Sequence, residues 1–236
     1  RRLCPDVPDM DELFQTPDSA ISRHSSKMHL VPPSGKPLKF DFDGYVLNRV
    51  AHDENLVELA KISGADYLID SKVEKVEGNR VLLKNGDSYS AKVIVDAGGH
   101  NGPLRRDYWD EKSVKIPVKF VLMDGDFGEA VELHFGSMAP GGYAWMFPKS
   151  KGANIGLGIQ RSFAKGRNLN QYTDEFVSKY DGEISFTGAG SLPMSGTLKK
   201  FVKGNYMLVG DSAGMVLPSN GAGICLLYTS PSPRDP

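Results

Sequence analysis

Residues 204–224 read GNYMLVGDSAGMVLPSNGAGI and decide the fold. The apolar run 206–209 predicts a short buried strand, and Gly210-Asp211 predicts a turn where that strand ends. A carboxylate at the end of a strand can accept hydrogen bonds from a ribose or ribitol hydroxyl, and glycines after it let the backbone approach a pyrophosphate or a flat ring. The candidate ligand-binding residues here are Gly210, Asp211, Gly214, Pro218, Gly221 and Gly223. The alternative is an ordinary strand-turn-helix in which Asp211 only caps the turn.

Residues 92–99, KVIVDAGG, form a similar pattern earlier in the chain. An apolar strand again runs into glycines, so we expect its carboxyl end to deliver Asp96, Gly98 and Gly99 to the same ligand crevice. Asp96 either orients the ligand or caps its own turn.

The first part of the chain predicts a hairpin followed by a strand and a helix. An extended pattern at 21–30 and period-two alternation at 37–42 flank the turn sequence Pro-Pro-Ser-Gly, which favours a hairpin. A short strand at 45–47 then leads into a helix whose apolar positions run from Val50 to Ile62 and which ends at Gly64.

The middle of the chain predicts mainly strands. Short strands at 67–69, 73–76 and 81–83, with turns at Gly78-Asn79 and Asn85-Gly86, predict a three-stranded meander that closes on 91–95. Between 114 and 200 only one helix is evident, at 169–179, so we expect an antiparallel sheet facing the substrate. Its predicted strands are 118–123, 130–135, 143–147, 154–159 and 198–202.

Within this sheet Tyr143, Trp145 and Phe147 alternate with period two and therefore point to one face. Such an aromatic face suits a long apolar ligand, although plain sheet packing explains the same alternation.

Composition excludes several classes of protein. The 236 residues carry 28 basic and 29 acidic side chains, and a net charge of −1 argues against a nucleic-acid partner. The two cysteines, Cys4 and Cys225, supply no disulfide framework, which favours a reducing, cytoplasmic compartment. No apolar stretch is long enough to span a bilayer, so membrane contact would be peripheral. The five histidines show no metal spacing, and we predict no metal site; no hydrolase triad motif occurs either.

The motifs together resemble the FAD-dependent oxidoreductases with a p-hydroxybenzoate-hydroxylase-like fold, and in particular the geranylgeranyl reductase branch, which includes the digeranylgeranylglycerophospholipid reductases. The wording GDSAGMVLPSNGAGI at 210–224 is similar to that branch, and YAWMFPK at 143–149 is similar to its Tyr-x-Trp-x-Phe-Pro motif, followed by a glycine-rich strand at 154–158. GYVLNR at 44–49 resembles its flavin-contacting strand-to-helix step. DAGGHNG at 96–102 resembles its Asp-Ala-x-Gly-x-x-Ser turn, with Gly102 in place of the serine.

The resemblance implies an FAD-dependent reductase that hydrogenates isolated double bonds of a geranylgeranyl lipid, with NAD(P)H or a ferredoxin-like protein as electron donor. It implies that Tyr143, Trp145 and Phe147 bind the lipid and that the two glycine turns bind the flavin. Arg49 would reach a flavin phosphate or ribityl oxygen, or else is a solvated arginine in a first helical turn. A flavin monooxygenase or halogenase on an aromatic or quinone substrate, and a non-catalytic lipid-binding module, are the alternatives, because fold does not fix chemistry.

The resemblance also implies a domain organisation for a mixed α/β chain. Residues 1–39 would be an extension on the substrate side, 40–112 and 203–224 two FAD-binding parts, and 113–202 the antiparallel substrate domain. No Gly-x-Gly-x-x-Gly turn occurs, so we expect the first Rossmann unit to precede Arg1 and this chain to bind FAD weakly or not at all. The string CLLYTSPSPRD at 225–235 resembles translated sequencing-adapter read-through, which predicts a non-native tail at 225–236, with an ordinary disordered terminus as the alternative.

Overall fold

The computed structural model of the protein describes residues 16–223, which form two compact units. The large-sheet unit comprises the described residues up to Ala65 together with Ile116–Ser191. The small-sheet unit comprises Asp66–Lys115 together with the described residues from Leu192 onward. Among the described residues, no helix combines the length and apolar character that crossing a bilayer requires. The predictions for Cys4, Cys225 and the tail at 225–236 lie outside the described residues.

The helices and strands of the described residues follow in chain order. The strands are β1 (Ile21–Val31), β2 (Leu38–Leu47), β3 (Val73–Glu77), β4 (Arg80–Leu83), β5 (Ser88–Ser90), β6 (Ile94–Asp96), β7 (Lys115–Asp124), β8 (Ala130–His134), β9 (Ala144–Lys149), β10 (Gly152–Gly158), β11 (Glu183–Pro193), β12 (Val202–Lys203) and β13 (Tyr206–Leu208). The helices are α1 (Arg49–Ile62), α2 (Pro103–Tyr108) and α3 (Leu169–Val177).

The seven-stranded sheet has the order β11-β7-β10-β9-β8-β1-β2. The pairs β1-β2, β8-β9, β9-β10 and β10-β7 are antiparallel, and β1 and β8 run parallel. The prediction of an antiparallel-rich sheet is therefore confirmed, and the parallel β1-β8 pair was not expected.

β1 and β2 form the predicted hairpin. Gly35 takes φ +77° in the connecting turn, where its N–H donates to the Pro32 carbonyl oxygen at 2.9 Å. The pairing of β1 with β2 shifts register between Ser25 and Lys27, and β2 continues beyond this irregularity to Leu47. The segment 45–47 is consequently the end of β2 and not a separate strand.

Helix α3 covers one face of the large sheet. Its first turn is fixed by a capping box, in which the Asn168 side chain accepts from the Gln171 N–H at 3.0 Å and the Gln171 side chain accepts from the Asn168 N–H at 2.8 Å. Phe176 of this helix joins the buried core that contains Ile155 and Met146. The face of the sheet toward α3 is therefore apolar core, and strand alternation places the Trp145 side chain on the opposite face.

The small-sheet unit contains two three-stranded sheets, β3-β4-β5 and β12-β13-β6. The predicted turns are present, with Gly78 at φ +58° and Gly86 at φ +95°. The meander closes on β5, however, because β6 pairs with β13 instead, and the prediction of 91–95 as its last strand was wrong. Residues 67–69 are exposed and form no strand, since no neighbouring strand supplies hydrogen-bond partners there.

The division into units differs from the boundaries expected from sequence. Residues 40–65 were assigned to the FAD-binding part, yet β2 pairs with β1 and lies in the large-sheet unit with α1. The reason is the hairpin. β2 pairs with β1 from Leu38 to Leu47, so both strands belong to the same sheet. Of the predicted strand 198–202, only Val202 lies in a ladder, as the first residue of β12.

Candidate functional site

The parallel strands β6 and β13 bring the two glycine turns to one edge. Leu208 pairs with Asp96 at the ends of these strands, and the Val209 N–H donates to the Asp96 carbonyl oxygen at 3.1 Å. Because parallel strands end at the same edge of a sheet, the turns at 97–102 and 209–214 lie side by side. We call this the parallel edge, and it contains both acids that the sequence singled out.

Asp96 at the parallel edge is buried and holds its own turn together. Its carboxylate accepts hydrogen bonds from the N–H groups of Gly98 (2.8 Å), Leu104 (2.9 Å) and Arg105 (3.1 Å). Two of these N–H groups belong to the first turn of α2, so Asp96 satisfies helix donors that otherwise have no partner. The geometry favours the capping alternative for Asp96.

Ser212 links the two turns and was missed by sequence reasoning. Its hydroxyl is fully buried, 2.8 Å from the Gly99 carbonyl oxygen and 3.2 Å from Asp96 Oδ1. A serine in a small-residue run gives no sequence signal of such a contact, because its two partners come from a distant strand end.

Asp211 differs from Asp96 in the surroundings of its carboxylate. Within the described part of the chain no donor makes a hydrogen bond to the Asp211 side chain, although the group is half-buried. Burial raises the pKa of Asp211, and the nearby His100 opposes this shift. A half-buried carboxylate with free lone pairs is suited to accept hydrogen bonds from ligand hydroxyls.

The glycines shape the space around Asp211. Gly99 takes φ +75°, and a Cβ built on it meets no atom within 4 Å, so this residue borders open space. Gly210 and Gly214 also take positive φ, and a Cβ on Gly214 would lie 2.5 Å from the Gly196 carbonyl oxygen. A Cβ on Gly223 would lie 3.6 Å from Asp211 Oδ1, which brings the end of the loop back to the acid.

The rest of the predicted loop closes on itself. The Leu217 N–H donates to the Ala222 carbonyl oxygen at 2.8 Å, and the Gly221 N–H donates to the Leu217 carbonyl oxygen at 2.9 Å. Gly221 takes φ +76°, and Pro218 is exposed at the tip. The structure thus brings Gly98, Gly99, Gly210, Gly214 and Gly223 close to Asp96 or Asp211, with Pro218 and Gly221 farther along the same loop.

The aromatic residues lie in the large-sheet unit, on the face opposite α3. The Tyr143 and Trp145 ring centroids are 6.0 Å apart, and those of Trp145 and Phe147 are 6.2 Å apart. The Trp145 Nε1–H donates to Asn154 Oδ1 at 2.7 Å, which fixes the indole on the sheet. A Cβ on Gly156 would lie 2.6 Å from Trp145 Cζ2, so glycine in β10 makes the room that the indole occupies.

Arg49 begins α1 in the large-sheet unit. Its guanidinium is exposed and pairs with Asp53 one helical turn later, Nη2 to Oδ1 at 2.9 Å. This contact fits the solvated-arginine alternative, and flavin binding by Arg49 stays a prediction.

A polar cluster on the α3 side of the large sheet was also missed. Glu132 Oε2 lies 2.9 Å from His134 Nε2 and 3.3 Å from the Tyr180 hydroxyl, and Glu132 Oε1 lies 3.5 Å from His29 Nδ1. Hydrogen bonding to His134 holds the pKa of Glu132 below its usual value, and burial beside Glu132 raises the pKa of Tyr180 well above its usual range. The only available signal, acids and histidines at matching positions on β1 and β8, depends on a strand pairing that sequence did not reveal.

We expect Glu132→Gln to lower the free energy of unfolding at neutral pH by about 1.5–3 kcal/mol, the range for hydrogen bonds to charged groups. The folded-state pKa of Glu132 lies below the unfolded-state value of 4.5. The stability that the Glu132 carboxylate contributes is therefore fully present above pH 4.5 and is lost as the pH falls through the folded-state pKa. Urea denaturation at about pH 6 and about pH 3 should therefore show the difference between the two proteins shrinking at the lower pH. Asp41→Asn, in the exposed Lys27–Asp41 pair, is the control and should change little. An equal difference in the free energy of unfolding between the original protein and Glu132→Gln at both pH values would contradict this prediction.

Comparison of the chain with known proteins identifies related reductases. Residues 114–189, which contain the aromatic residues, match the family model described as the geranylgeranyl reductase catalytic domain. Digeranylgeranylglycerophospholipid reductase 3 of Methanosphaera stadtmanae is 29% identical over 91% of this chain and 61% of its own length. Digeranylgeranylglycerophospholipid reductase of Methanocella arvoryzae is 33% identical over 77% of this chain and 51% of its own length. The chain thus spans roughly half to three fifths of these relatives.

Solved structures agree on the fold. A geranylgeranyl bacteriochlorophyll reductase-like protein from Thermoplasma acidophilum superposes with a TM-score of 0.79 at 27% identity, covering 91% of this chain and 61% of that one. BrvH, a flavin-dependent halogenase from Brevundimonas sp. BAL3, superposes with a TM-score of 0.63 at 18% identity, covering 84% of this chain and 42% of that one, and shows the fold alone. The fold is thus of the predicted p-hydroxybenzoate-hydroxylase type. The chain belongs to the geranylgeranyl reductase family.

Proposed function

We propose that this chain forms the substrate-binding sheet and part of the cofactor site of an FAD-dependent reductase that hydrogenates isolated double bonds of a geranylgeranyl lipid. The observation that carries the proposal is the aromatic face Tyr143, Trp145 and Phe147, which lies within the segment matching the geranylgeranyl reductase catalytic domain. Its rings are half-buried, and the side chains between them point into the core. An apolar chain would gain contact area there without displacing a charged group.

The residues at the parallel edge fit FAD. Asp211 offers to the ribityl or ribose hydroxyls of the cofactor a carboxylate that accepts no hydrogen bond from residues 16–223. Gly99 borders open space where a flat ring or a phosphate can approach the backbone. Asp96 and Ser212 hold the two turns together and would act on the cofactor only through the positions of those turns.

FAD, when bound and reduced, supplies the hydride. The residues of this chain supply binding and alignment. Trp145, fixed by Asn154, presents the face of its indole to the substrate, and Tyr143 and Phe147 extend the same apolar surface. Burial raises the pKa of Tyr143, so its hydroxyl stays protonated and the face carries no charge at neutral pH. Asp211 would orient the cofactor by accepting hydrogen bonds. The electron donor, NAD(P)H or a ferredoxin-like protein, and peripheral membrane contact stay predictions from the resemblance.

The proposal is tested by incubating the full-length protein that contains this chain and the expected first Rossmann unit with FAD, dithionite and a geranylgeranyl lipid, and by measuring the mass of the lipid by mass spectrometry. We expect a gain of two hydrogens per reduced double bond. Incorporation of oxygen in aerated samples would support a monooxygenase and contradict the proposal. Failure of the full-length protein to retain any flavin while it binds the lipid would favour a non-catalytic lipid-binding module.

Tyr143→Ala should lower the rate of prenyl reduction about tenfold, because it removes a ring that contacts the substrate. Flavin absorbance should not change, since Asp211 and the glycine turns are untouched. Tyr143→Phe is the matched control, because it keeps the ring and removes only the hydroxyl, and it should reduce the lipid at nearly the original rate. Unchanged turnover with Tyr143→Ala would remove Tyr143 from the site.

A further inference from the structure

An unbroken apolar row crosses six strands of the large sheet on the face opposite α3. Residues that are directly paired on neighbouring strands point to the same face of a sheet, so the strand registers identify the members of the row. Strand pairing joins Phe120 to Gly156, Gly156 to Trp145, Trp145 to Leu133, Leu133 to Leu30, and Leu30 to Leu38. The row contains no charged side chain, and five strand spacings give it a length of about 24 Å.

The row continues the aromatic face well beyond Trp145. Toward β2 it passes over Leu133 and Leu30 and ends at Leu38, which is 56% exposed. Beside it, the paired residues Val131, Met28 and Phe40 form a second apolar row, and Phe40 is 47% exposed. Two large apolar side chains thus stay in contact with water at the sheet edge, in line with the aromatic face.

The polar groups of this face lie at the other end. Asn154 is on β10, where its side chain accepts from Trp145, and Tyr143 lies directly before β9. Lys149, at the other end of β9, is not part of this group, because its ammonium donates to the carbonyl oxygen of Leu47, the last residue of β2, at 3.3 Å. A lipid with one polar end would therefore place that end near β9 and β10 and its apolar tail toward β2.

Resting on the proposed function, we propose that the prenyl chain lies across the strands along this row, with its far end at Leu38 and Phe40. These two residues then set the preference for chain length. A long chain reaches β2 and gains contact with them, and a short chain ends before it. The occupant is a single linear apolar chain, because the row and the second row beside it are together only two side chains wide and contain no charged side chain.

The test measures binding and needs no loaded flavin. The two tryptophans are Trp109 and Trp145, so Trp109→Phe leaves Trp145 as a fluorescent reporter within the row. Titrations would use geranylgeranyl phosphate and geranyl phosphate, which share a head group, the second having half as many isoprene units. We expect Leu38→Asp to raise the Kd of geranylgeranyl phosphate about tenfold and that of geranyl phosphate less than about twofold. Isothermal titration with Trp109 retained repeats the comparison without that substitution.

Lys39→Asp is the matched control. Lys39 follows Leu38 in β2, pairs with His29 and points to the opposite face of the sheet. An aspartate at position 39 should therefore leave the Kd of both ligands unchanged. Equal weakening of both ligands by Leu38→Asp, or no weakening of either, would overturn the inference and leave the proposed function standing. A change in oligomeric state with Leu38→Asp, without a change in Kd, would assign this edge to contact between copies and also overturn it. No response of Trp145 to either ligand in the protein that carries Trp109→Phe alone would contradict the proposed function itself.

Discussion

Gly102→Ala is expected to destabilise the small-sheet unit by about 3–5 kcal/mol. A Cβ at position 102 would overlap both carboxylate oxygens of Asp96. The carboxylate would have to turn away and leave three N–H donors without this acceptor, and two of them, those of Leu104 and Arg105, are buried. The backbone of Gly102 has φ −54°, so the penalty comes from this overlap and not from backbone strain.

The measurement is chemical denaturation of the two proteins, followed by the fluorescence of Trp109, which is buried in the same unit. Gly190→Ala is a control, because the nearest atom to a Cβ at that position is 3.8 Å away, an ordinary contact. The mechanism predicts non-additivity: adding Gly102→Ala to Asp96→Ala should cost little more than Asp96→Ala alone. Fully additive losses would show that the overlap with Asp96 is not the cause.

Asp211→Ala is expected to weaken FAD binding about tenfold to hundredfold and to stabilise the protein without ligand. The loss of affinity reflects hydrogen bonds from ligand hydroxyls to a charged acceptor, which contribute about 1.5–3 kcal/mol. The stability change has the opposite sign because burial raises the pKa of Asp211 in the folded protein above its ordinary value of 3.8. Stability is therefore lost as pH rises from the unfolded-state pKa through the folded-state pKa, and removing the carboxyl group removes that loss.

Flavin fluorescence titration gives the affinity, and urea denaturation near neutral pH gives the stability. Asp211→Asn keeps the shape without the charge and should lie between the other two proteins in affinity. Asp110→Asn makes the same charge change at an exposed position of the same unit and should alter neither quantity. Lower stability together with unchanged affinity would show that Asp211 supports the fold and does not bind the cofactor.

Local sequence patterns were sufficient to predict the elements whose residues are close both in the chain and in space. The hairpin around Gly35, the helix from Arg49 to Ile62 and the turn at Gly86 all follow from alternation and turn residues, and all are present. The segment 67–69 shows the limit of such patterns, because three apolar residues form a strand only where another strand pairs with them.

The roles of the two acids show why the site could not be completed from sequence. Asp96 and Asp211 both follow a short apolar strand, and their local sequences are alike. What separates them is tertiary: α2 begins against Asp96 and supplies its donors, whereas no donor among the described residues reaches Asp211. The link through Ser212 and the cluster around Glu132 likewise depend on parallel pairings between distant segments, which have no local sequence signal.

The central claim is that the turns at 97–102 and 209–214 bind one FAD molecule together. Hydrogen-deuterium exchange with and without FAD tests it directly, because amides that contact or are covered by the cofactor exchange more slowly. The account predicts slower exchange in peptides from both turns, with the β3-β4-β5 meander unchanged. Protection of only one turn, or of neither while FAD is bound elsewhere, would contradict it.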